Sequence, residues 1–557
     1  MLLPQTLRAM AETYGDEVAY SVVDGGSFTF AEWDAQANSL ARGLVSLGTV
    51  PDDRIAIHVS MENALRWMVA YVAIHRAGAV AVPLNPRLAP AEVRRMLDHC
   101  GARGVVVDGP QAVQDADLLS ASPDNPGGAK GSGPAFLVDA SEGQPRRWPE
   151  TGAPEGSPAA PDAEPPAAPA GAPPGVTSPT GAGRTPVVPW DVALDHASDP
   201  IQVPRGDDDL ADIIYTSGTT GSPKGVAVRH VNASMVPPGP PSWSGGSWLH
   251  SSPLCTFAGL GFVYNPMKLG LRGIYQPRFD AGRWLEVVEK ERPVAVFLVP
   301  AMTHLLLDHP RFADADLTSI QICAIGSAPL APFVIERMQE KMPDAMISNN
   351  YGMTEAGSVY CLTPKGEAVK RPGSVGQPAP PAEVRIVGDD GREVPVGEVG
   401  DVRLRIPGRP REYFGDPEAT ASTWVDGWLV TGDLGRVDAD GYLYIVGRRK
   451  DVIIRGGNNV HAADVEHVVM SHPDVAEAAV VGAPHPVLGE DVVAFVVMRP
   501  GTHASPEQLR EHCLTSLADY KVPRQWHVVE SLPRNATGKV VKPELVRILE
   551  ARSEQEG

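Results

Sequence analysis

The chain has 557 residues, more than one ordinary core holds, so at least two domains are expected. With 43% hydrophobic and 21% charged residues it has the balance of a soluble globular protein. A formal net charge of −20 argues against nucleic acid as a partner, since phosphate backbones need a basic surface, but local donors can still hold a small anionic ligand. The five cysteines (Cys100, Cys255, Cys323, Cys361 and Cys513) are scattered and never spaced as CxxC. Neither a disulfide framework nor a zinc site is expected, and a reducing cytoplasm fits.

In chain order, residues 1–8 lack a basic segment ahead of an apolar core and do not read as a signal peptide. Residues 31–47, 63–76 and 89–99 have helical spacing, while 53–60, 78–83 and 104–108 read as strands. This rhythm predicts a layered α/β domain rich in parallel sheet. Between residues 118 and 196 the character changes, and from 151 to 180 Val176 is the sole larger aliphatic residue. Such a segment buries too little apolar surface to offset its ordering entropy, so a flexible surface insertion is expected, with the core resuming near Asp207. Residues 210–215 and 225–229 read as strands, and the apolar stretch 294–307 is too short and too polar to span a bilayer. Beyond Arg448 the pattern becomes α+β: a helix at 461–470, strands at 475–481 and 491–497, and a helix opened by Ser505 and Pro506. The expected organisation is a large N-terminal domain, 1–449, and a small C-terminal one, 450–557.

Residues 215–225 read Tyr-Thr-Ser-Gly-Thr-Thr-Gly-Ser-Pro-Lys-Gly between two strands. Gly218 and Gly221 let the backbone turn N–H groups toward an anion, the hydroxyls of Thr216, Ser217, Thr219 and Thr220 can donate to phosphate oxygens, and Lys224 adds a positive charge. The chemistry points to a nucleoside triphosphate. It is not a Walker A loop, because Gly-Lys-Ser/Thr is missing and Pro223 precedes the lysine. On composition alone, a flexible Ser/Thr/Gly hairpin turn remains open.

This loop resembles the signature loop of the acyl-adenylate-forming superfamily, which contains acyl-CoA synthetases, aryl-CoA ligases, beetle luciferases and peptide-synthetase adenylation domains. Further motifs follow in that family's order over nearly the whole chain. Residues 349–355, Asn-Asn-Tyr-Gly-Met-Thr-Glu, are similar to its adenine-and-magnesium motif. The resemblance implies Tyr351 against the adenine, Asn350 on its polar edge, Gly352 and Met353 beside it, and Thr354 and Glu355 at the phosphates. A carboxylate beside a triphosphate requires an intervening cation, so Glu355 implies Mg²⁺, with Thr216 as a companion ligand. Gly326, Ser327 and Ala328 match the turn between the nucleotide and acyl pockets. Asp433 matches a ribose ligand, Arg448 a ribose or phosphate contact, and Lys450 the hinge between domains. Gly456 and Gly457 match a loop lining a thiol tunnel. There the family's following proline is Ala462 and its glutamate is Asp464, both mild departures. Lys539, near the C-terminus, matches the catalytic lysine that bridges the attacking carboxylate and the α-phosphate.

The family's acyl pocket corresponds to the segment carrying Thr256, Phe257, Gly259 and Leu260, with Gly326 opposite. Thr256 stands where many relatives have His or an aromatic that gates the pocket. The segment is apolar and offers no aspartate for a substrate ammonium, so an α-amino acid is not expected, whereas fatty, aryl and polycyclic acids all fit. The resemblance implies a two-step ligase using ATP, Mg²⁺ and CoA through an acyl-AMP. Alternatives are transfer to a carrier protein or through a separate acyltransferase, a luciferase-like oxidation, and a catalytically silent nucleotide-binding protein.

Overall fold

The helix–strand rhythm of the first hundred residues is what the chain builds. The computed structural model describes residues 2–108, 136–140, 187–194, 196–216, 224–233, 239–328, 330, 332–358, 361–380, 382–406, 410–535 and 538–556. Backbone contacts divide the chain into Ala31–Arg205 and a second unit made of Met1–Phe30 with Gly206–Gly557.

In the first unit, strands Val187–Pro189, Phe136–Asp139, Ala102–Val107, Arg54–His58 and Val80–Pro83 lie side by side in that order, all parallel. Strands buried on both faces read as unbroken apolar runs, as Ile55, Ala56 and Ile57 do. Helix Pro90–Cys100 starts on a proline at its first turn and stops on left-handed Gly101. The expectation that the core resumes near Asp207 is corrected here. Phe136–Asp139 and Val187–Pro189 are sheet strands, and Trp190–Ala193 is a helical turn. These runs are three or four residues long, too short to show a period, and only pairing with Ala102–Val107 and with each other identifies them. The expected insertion core, 151–180, lies outside the described residues.

The second unit is built on the strands Met346–Asn350, Ile322–Gly326, Ala295–Leu298, Ser247–His250, Arg272–Tyr275 and Val18–Val22, parallel in that order, with Ser27–Thr29 antiparallel at the edge. The side chains on one face, including Leu249, Val296, Leu298, Cys323, Ile325 and Ile347, join a fully apolar core with helices Ala281–Glu291, Pro300–Leu307 and Pro332–Lys341. The alternate residues Trp248, His250, Phe297 and Ala324 point the other way, toward helix Phe257–Lys268. An antiparallel sheet follows, in which Trp428–Val437 pairs with Leu443–Arg448.

Residues 450–557 are grouped with this second unit, so the contact division does not fall at 449/450. They nevertheless build a sheet of their own, with Gly489–Met498 between Val475–His485 and Val452–Arg455. The sheet has a core on each face: Val480, Val492, Ala494 and Val496 on one, Ala479, Val481, Val493 and Phe495 on the other. Period-two alternation in these two strands sets that division. Among the described residues no helix is long and apolar enough to cross a membrane, and all five cysteines are free thiols.

Candidate active site

Two of the motifs sit where strands end. Strands Leu210–Thr216 and Lys224–Arg229 form a hairpin whose last pair is Thr216 with Lys224. The loop between them holds Ser217, Gly218, Thr219, Thr220 and Gly221, which lie outside the described residues. Gly326 ends its strand directly beside Asn350. A Cβ on Gly326 would come within 2.8 Å of the Asn350 carbonyl oxygen, so glycine is what lets the two motifs touch. Ser327 follows in the left-handed region at φ 73, with Ala328 after it. Gly352 and Met353 pair with Ser358 and Gly357, so Thr354 and Glu355 form the turn of a small hairpin.

Two residues that no motif pointed to complete the phosphate end. Residues 411–414 lie along Lys224–Arg229 as an extra strand: the Ala227 amide donates to the Glu412 carbonyl at 2.8 Å, and the Phe414 amide to the Gly225 carbonyl at 2.7 Å. Alternation then puts Arg411 and Tyr413 on one side. The Tyr413 hydroxyl donates to Glu355 Oε1 at 2.8 Å, and Lys224 Nζ rests 4.9 Å from the centre of the Tyr413 ring. Burial and the Glu355 charge hold the Tyr413 hydroxyl well above its ordinary pKa, so it is a donor. Arg411 is 5% exposed and donates to the Thr354 carbonyl at 2.7 Å.

At the ribose end, Asp433 and Arg448 are direct cross-strand partners. The Arg448 Nε donates to Asp433 Oδ1 at 3.1 Å, and the Tyr351 hydroxyl donates to Oδ2 at 2.5 Å. Asp433 is 5% exposed, and burial raises its pKa against the pull of Tyr351 and Arg448. Tyr351 is thereby fixed by its hydroxyl, with its ring packed on the antiparallel sheet's core. Lys539 comes from the C-terminal segment, on a loop closed by Asn535. The Asn535 amide donates to the Lys539 carbonyl and the Lys539 amide to Asn535 Oδ1, each at 2.9 Å. Much of the Lys539 side chain is open to solvent. The surrounding walls nonetheless lower its pKa by desolvation, Arg448 lowers it further, and Asp433 and Glu355 pull it back up. Lys539 thus shares one field with three residues expected at the nucleotide.

On the acyl side, Thr256 is the N-cap of helix Phe257–Lys268, accepting from the Gly259 amide at 3.1 Å and donating to the Pro253 carbonyl at 2.8 Å. Both capabilities of the hydroxyl are spent on starting the helix. Gly259 is required by contact, because a Cβ there would lie 1.9 Å from the Pro253 carbonyl oxygen. Leu260 faces inward and is fully covered. Phe262, Phe297 and Ala324 form the adjoining apolar cluster, with Trp248, Ala258 and Val299 packed at its margin. His250, beneath Phe262, is bonded to the Tyr20 hydroxyl and held neutral, its pKa pushed down to about 3 by burial.

Lys450 lies in the short turn Arg449–Asp451 that leads from the antiparallel sheet into the C-terminal one. Gly456 and Gly457 are the tip of the next hairpin, where the Gly456 amide donates to the Leu488 carbonyl at 2.8 Å. Among the described residues no cluster of three or more His, Cys, Asp or Glu forms a ready-made metal cage. The donors do fit Mg²⁺, which keeps several waters and takes one or two carboxylates beside phosphate oxygens. Glu355 supplies such a carboxylate, with Oε1 taken by Tyr413 and no described partner on Oε2.

The AMP-binding enzyme family matches residues 7–414, and the AMP-binding enzyme C-terminal domain matches residues 464–539. A feruloyl-CoA synthase of Amycolatopsis sp is 32% identical over 529 residues, 94% of each chain. A fatty acid–[acyl-carrier-protein] ligase of Streptomyces coeruleorubidus is 30% identical over 541 residues, covering 94% of this chain and 92% of its own. Among solved structures, the amide bond synthetase McbA from Marinactinospora thermotolerans superposes with a TM-score of 0.77 at 29% identity, over 98% of this chain and 99% of that one.

Proposed function

The chain belongs to the AMP-binding enzyme family and is an AMP-forming ligase that uses ATP and a small-molecule acid, and we propose that it joins a hydrophobic carboxylic acid to CoA through an acyl-AMP. One observation carries this reading: Tyr351, Asp433 and Arg448, from three separate motifs, meet in one hydrogen-bonded cluster, and the Lys539 ammonium from the C-terminal segment lies in the field of Asp433 and Arg448.

In the first half-reaction a carboxylate oxygen bonds to the α-phosphorus as the bond to pyrophosphate breaks. Lys539 draws the carboxylate and the α-phosphate together and offsets the charge that builds between them. Asp433 accepts from the ribose hydroxyls, with Arg448 beside it, and Lys224 lies at the phosphate end. When bound at Glu355 and Thr216, Mg²⁺ supplies charge neutralisation between the protein and the triphosphate. The acyl group rests against Phe262, Phe297 and Ala324, beyond Gly326.

In the second half-reaction the chain turns about Lys450, withdraws Lys539 and brings in Gly456 and Gly457. The thiol sulfur bonds to the acyl carbon, its proton goes to solvent, and AMP leaves. A carrier-protein thiol is the second reading, favoured by the relative that loads an acyl carrier protein. The acid itself is fatty, aryl or polycyclic.

The test is a panel of such acids with Mg·ATP, following pyrophosphate and detecting acyl-AMP and CoA thioester by mass. Pyrophosphate with a soluble CoA product is expected. Acyl-AMP that accumulates in the presence of CoA would favour the carrier, and no pyrophosphate with any acid would sink the proposal.

A further inference from the structure

Arg411 stands where three parts of the site meet, and none of the reaction's steps uses it. Its guanidinium is buried and spends its donors on backbone carbonyls from different segments. One nitrogen donates to Thr354 in the turn that carries Glu355, at 2.7 Å, and another to Asn232 just past the phosphate-loop hairpin. The flat face of the same group lies 4.4 Å from the centre of the Phe257 ring, the first residue of the helix that covers the acyl pocket. Two buried carboxylates, Asp212 and Glu355, are close enough to stabilise its charge against the cost of burial. Opposite it, Gly357 leaves only 3.2 Å between a would-be Cβ and one guanidinium nitrogen, so the cavity is cut to the shape of the fork.

We propose that Arg411 is a positioning residue for adenylation: it holds the Thr354–Glu355 turn and the start of helix Phe257–Lys268 in one register, so that acid and triphosphate meet aligned. A guanidinium suits this task because it is planar, charged at every working pH and donates in two directions while its face stays free for a ring. Lysine has the charge but one donor centre and no face. A shift of about 1 Å in such an alignment costs about 10²-fold in rate.

The test compares Arg411→Lys and Phe257→Leu with the parent enzyme, using the acid that gives the fastest pyrophosphate release. In Arg411→Lys one donor centre replaces the fork and the ring contact is lost, so some fall in melting temperature is expected, and the split between the two half-reactions is what decides. The kcat for pyrophosphate release is expected to fall at least about tenfold, and thioester formation from supplied acyl-AMP to stay within about twofold. Phe257→Leu keeps the apolar volume and removes the ring; the KM for the acid is expected to rise about threefold or more while that for ATP is unchanged. A merely structural arginine would scale both half-reactions together. Parental kcat and KM in Arg411→Lys would overturn the proposal, as would equal loss of both half-reactions. Should Arg411→Lys not accumulate folded, Phe257→Leu decides alone: an unchanged KM for the acid refutes the coupling.

Discussion

The two faces of the sheet running from Met346–Asn350 to Val18–Val22 are made of the same strands and do opposite work. One presents Val296, Leu298, Cys323, Ile325 and Ile347 to three helices and contains no charge. The other presents Trp248, His250, Phe297, Ala324 and Gly326, and beyond the strand Met346–Asn350 comes buried Glu355, which Tyr413 bonds. Aliphatic burial stabilises the fold in proportion to area. Buried charge costs stability unless it is paired, and here it is kept because the chemistry needs fixed donors and acceptors. Stability and function are therefore separable by residue, although they alternate along single strands.

The largest expected effect tests the functional face. Lys539→Ala should lower acyl-AMP formation by ~10²–10³-fold and leave conversion of supplied acyl-AMP to thioester intact. Equal loss of both, in a single-turnover assay, would show that the lysine serves more than the first step. Desolvation by the surrounding walls and the Arg448 charge lower the pKa of this ammonium below its ordinary 10.5, so adenylation should decline with rising pH earlier than an unperturbed lysine would dictate.

Next comes the aliphatic face. Ile325→Ala removes a fully buried side chain and should cost about 2–5 kcal/mol in denaturant unfolding, with turnover per folded molecule preserved. A changed KM for the acid would show that the two faces are coupled through the strand.

The smallest and most diagnostic effect is at Asp433, where the two demands conflict. Its folded pKa is raised above the ordinary 3.8 by burial, so the native state holds the proton more tightly than the unfolded chain. The parent therefore loses stability as pH rises from 3.8 through the raised value and carries the full penalty above it. Asp433→Asn never ionises; it should melt higher than the parent at pH 7, converge with it below the carboxylate range, and bind ATP more weakly. A lower melting temperature at pH 7 would mean that Arg448 and Tyr351 over-compensate the burial.

Much of this was readable beforehand, for local reasons. The sheet strands 210–215 and 491–497 are legible as apolar runs, and the helices at 31–47, 63–76, 89–99, 461–470 and after Ser505 by their period or by the Ser505 cap. Lys539, Asp433 and Glu355 could be proposed from sequence because their motifs are contiguous. Strands Phe136–Asp139 and Val187–Pro189 were missed because three or four apolar residues carry no period. That Thr256 caps helix Phe257–Lys268 could not be read from spacing, because a capping hydroxyl shows itself only in its hydrogen bonds. Arg411 and Tyr413 were invisible because their partners are remote: Thr354 and Glu355 are nearly sixty residues away, and Asn232 is 179.

Residue order alone determined the layered α/β class, the separate α+β end of the chain and the family that its contiguous motifs resemble. These rest on periodicity and on short contiguous motifs, whose chemistry is complete within a few neighbours. Only the tertiary structure decided that Tyr351 and Arg448 both bond Asp433, and that a buried arginine spans the Thr354–Glu355 turn and helix Phe257–Lys268. Those facts depend on strand register and on which side chains alternation turns inward, and register is set by the packing of segments far apart along the chain.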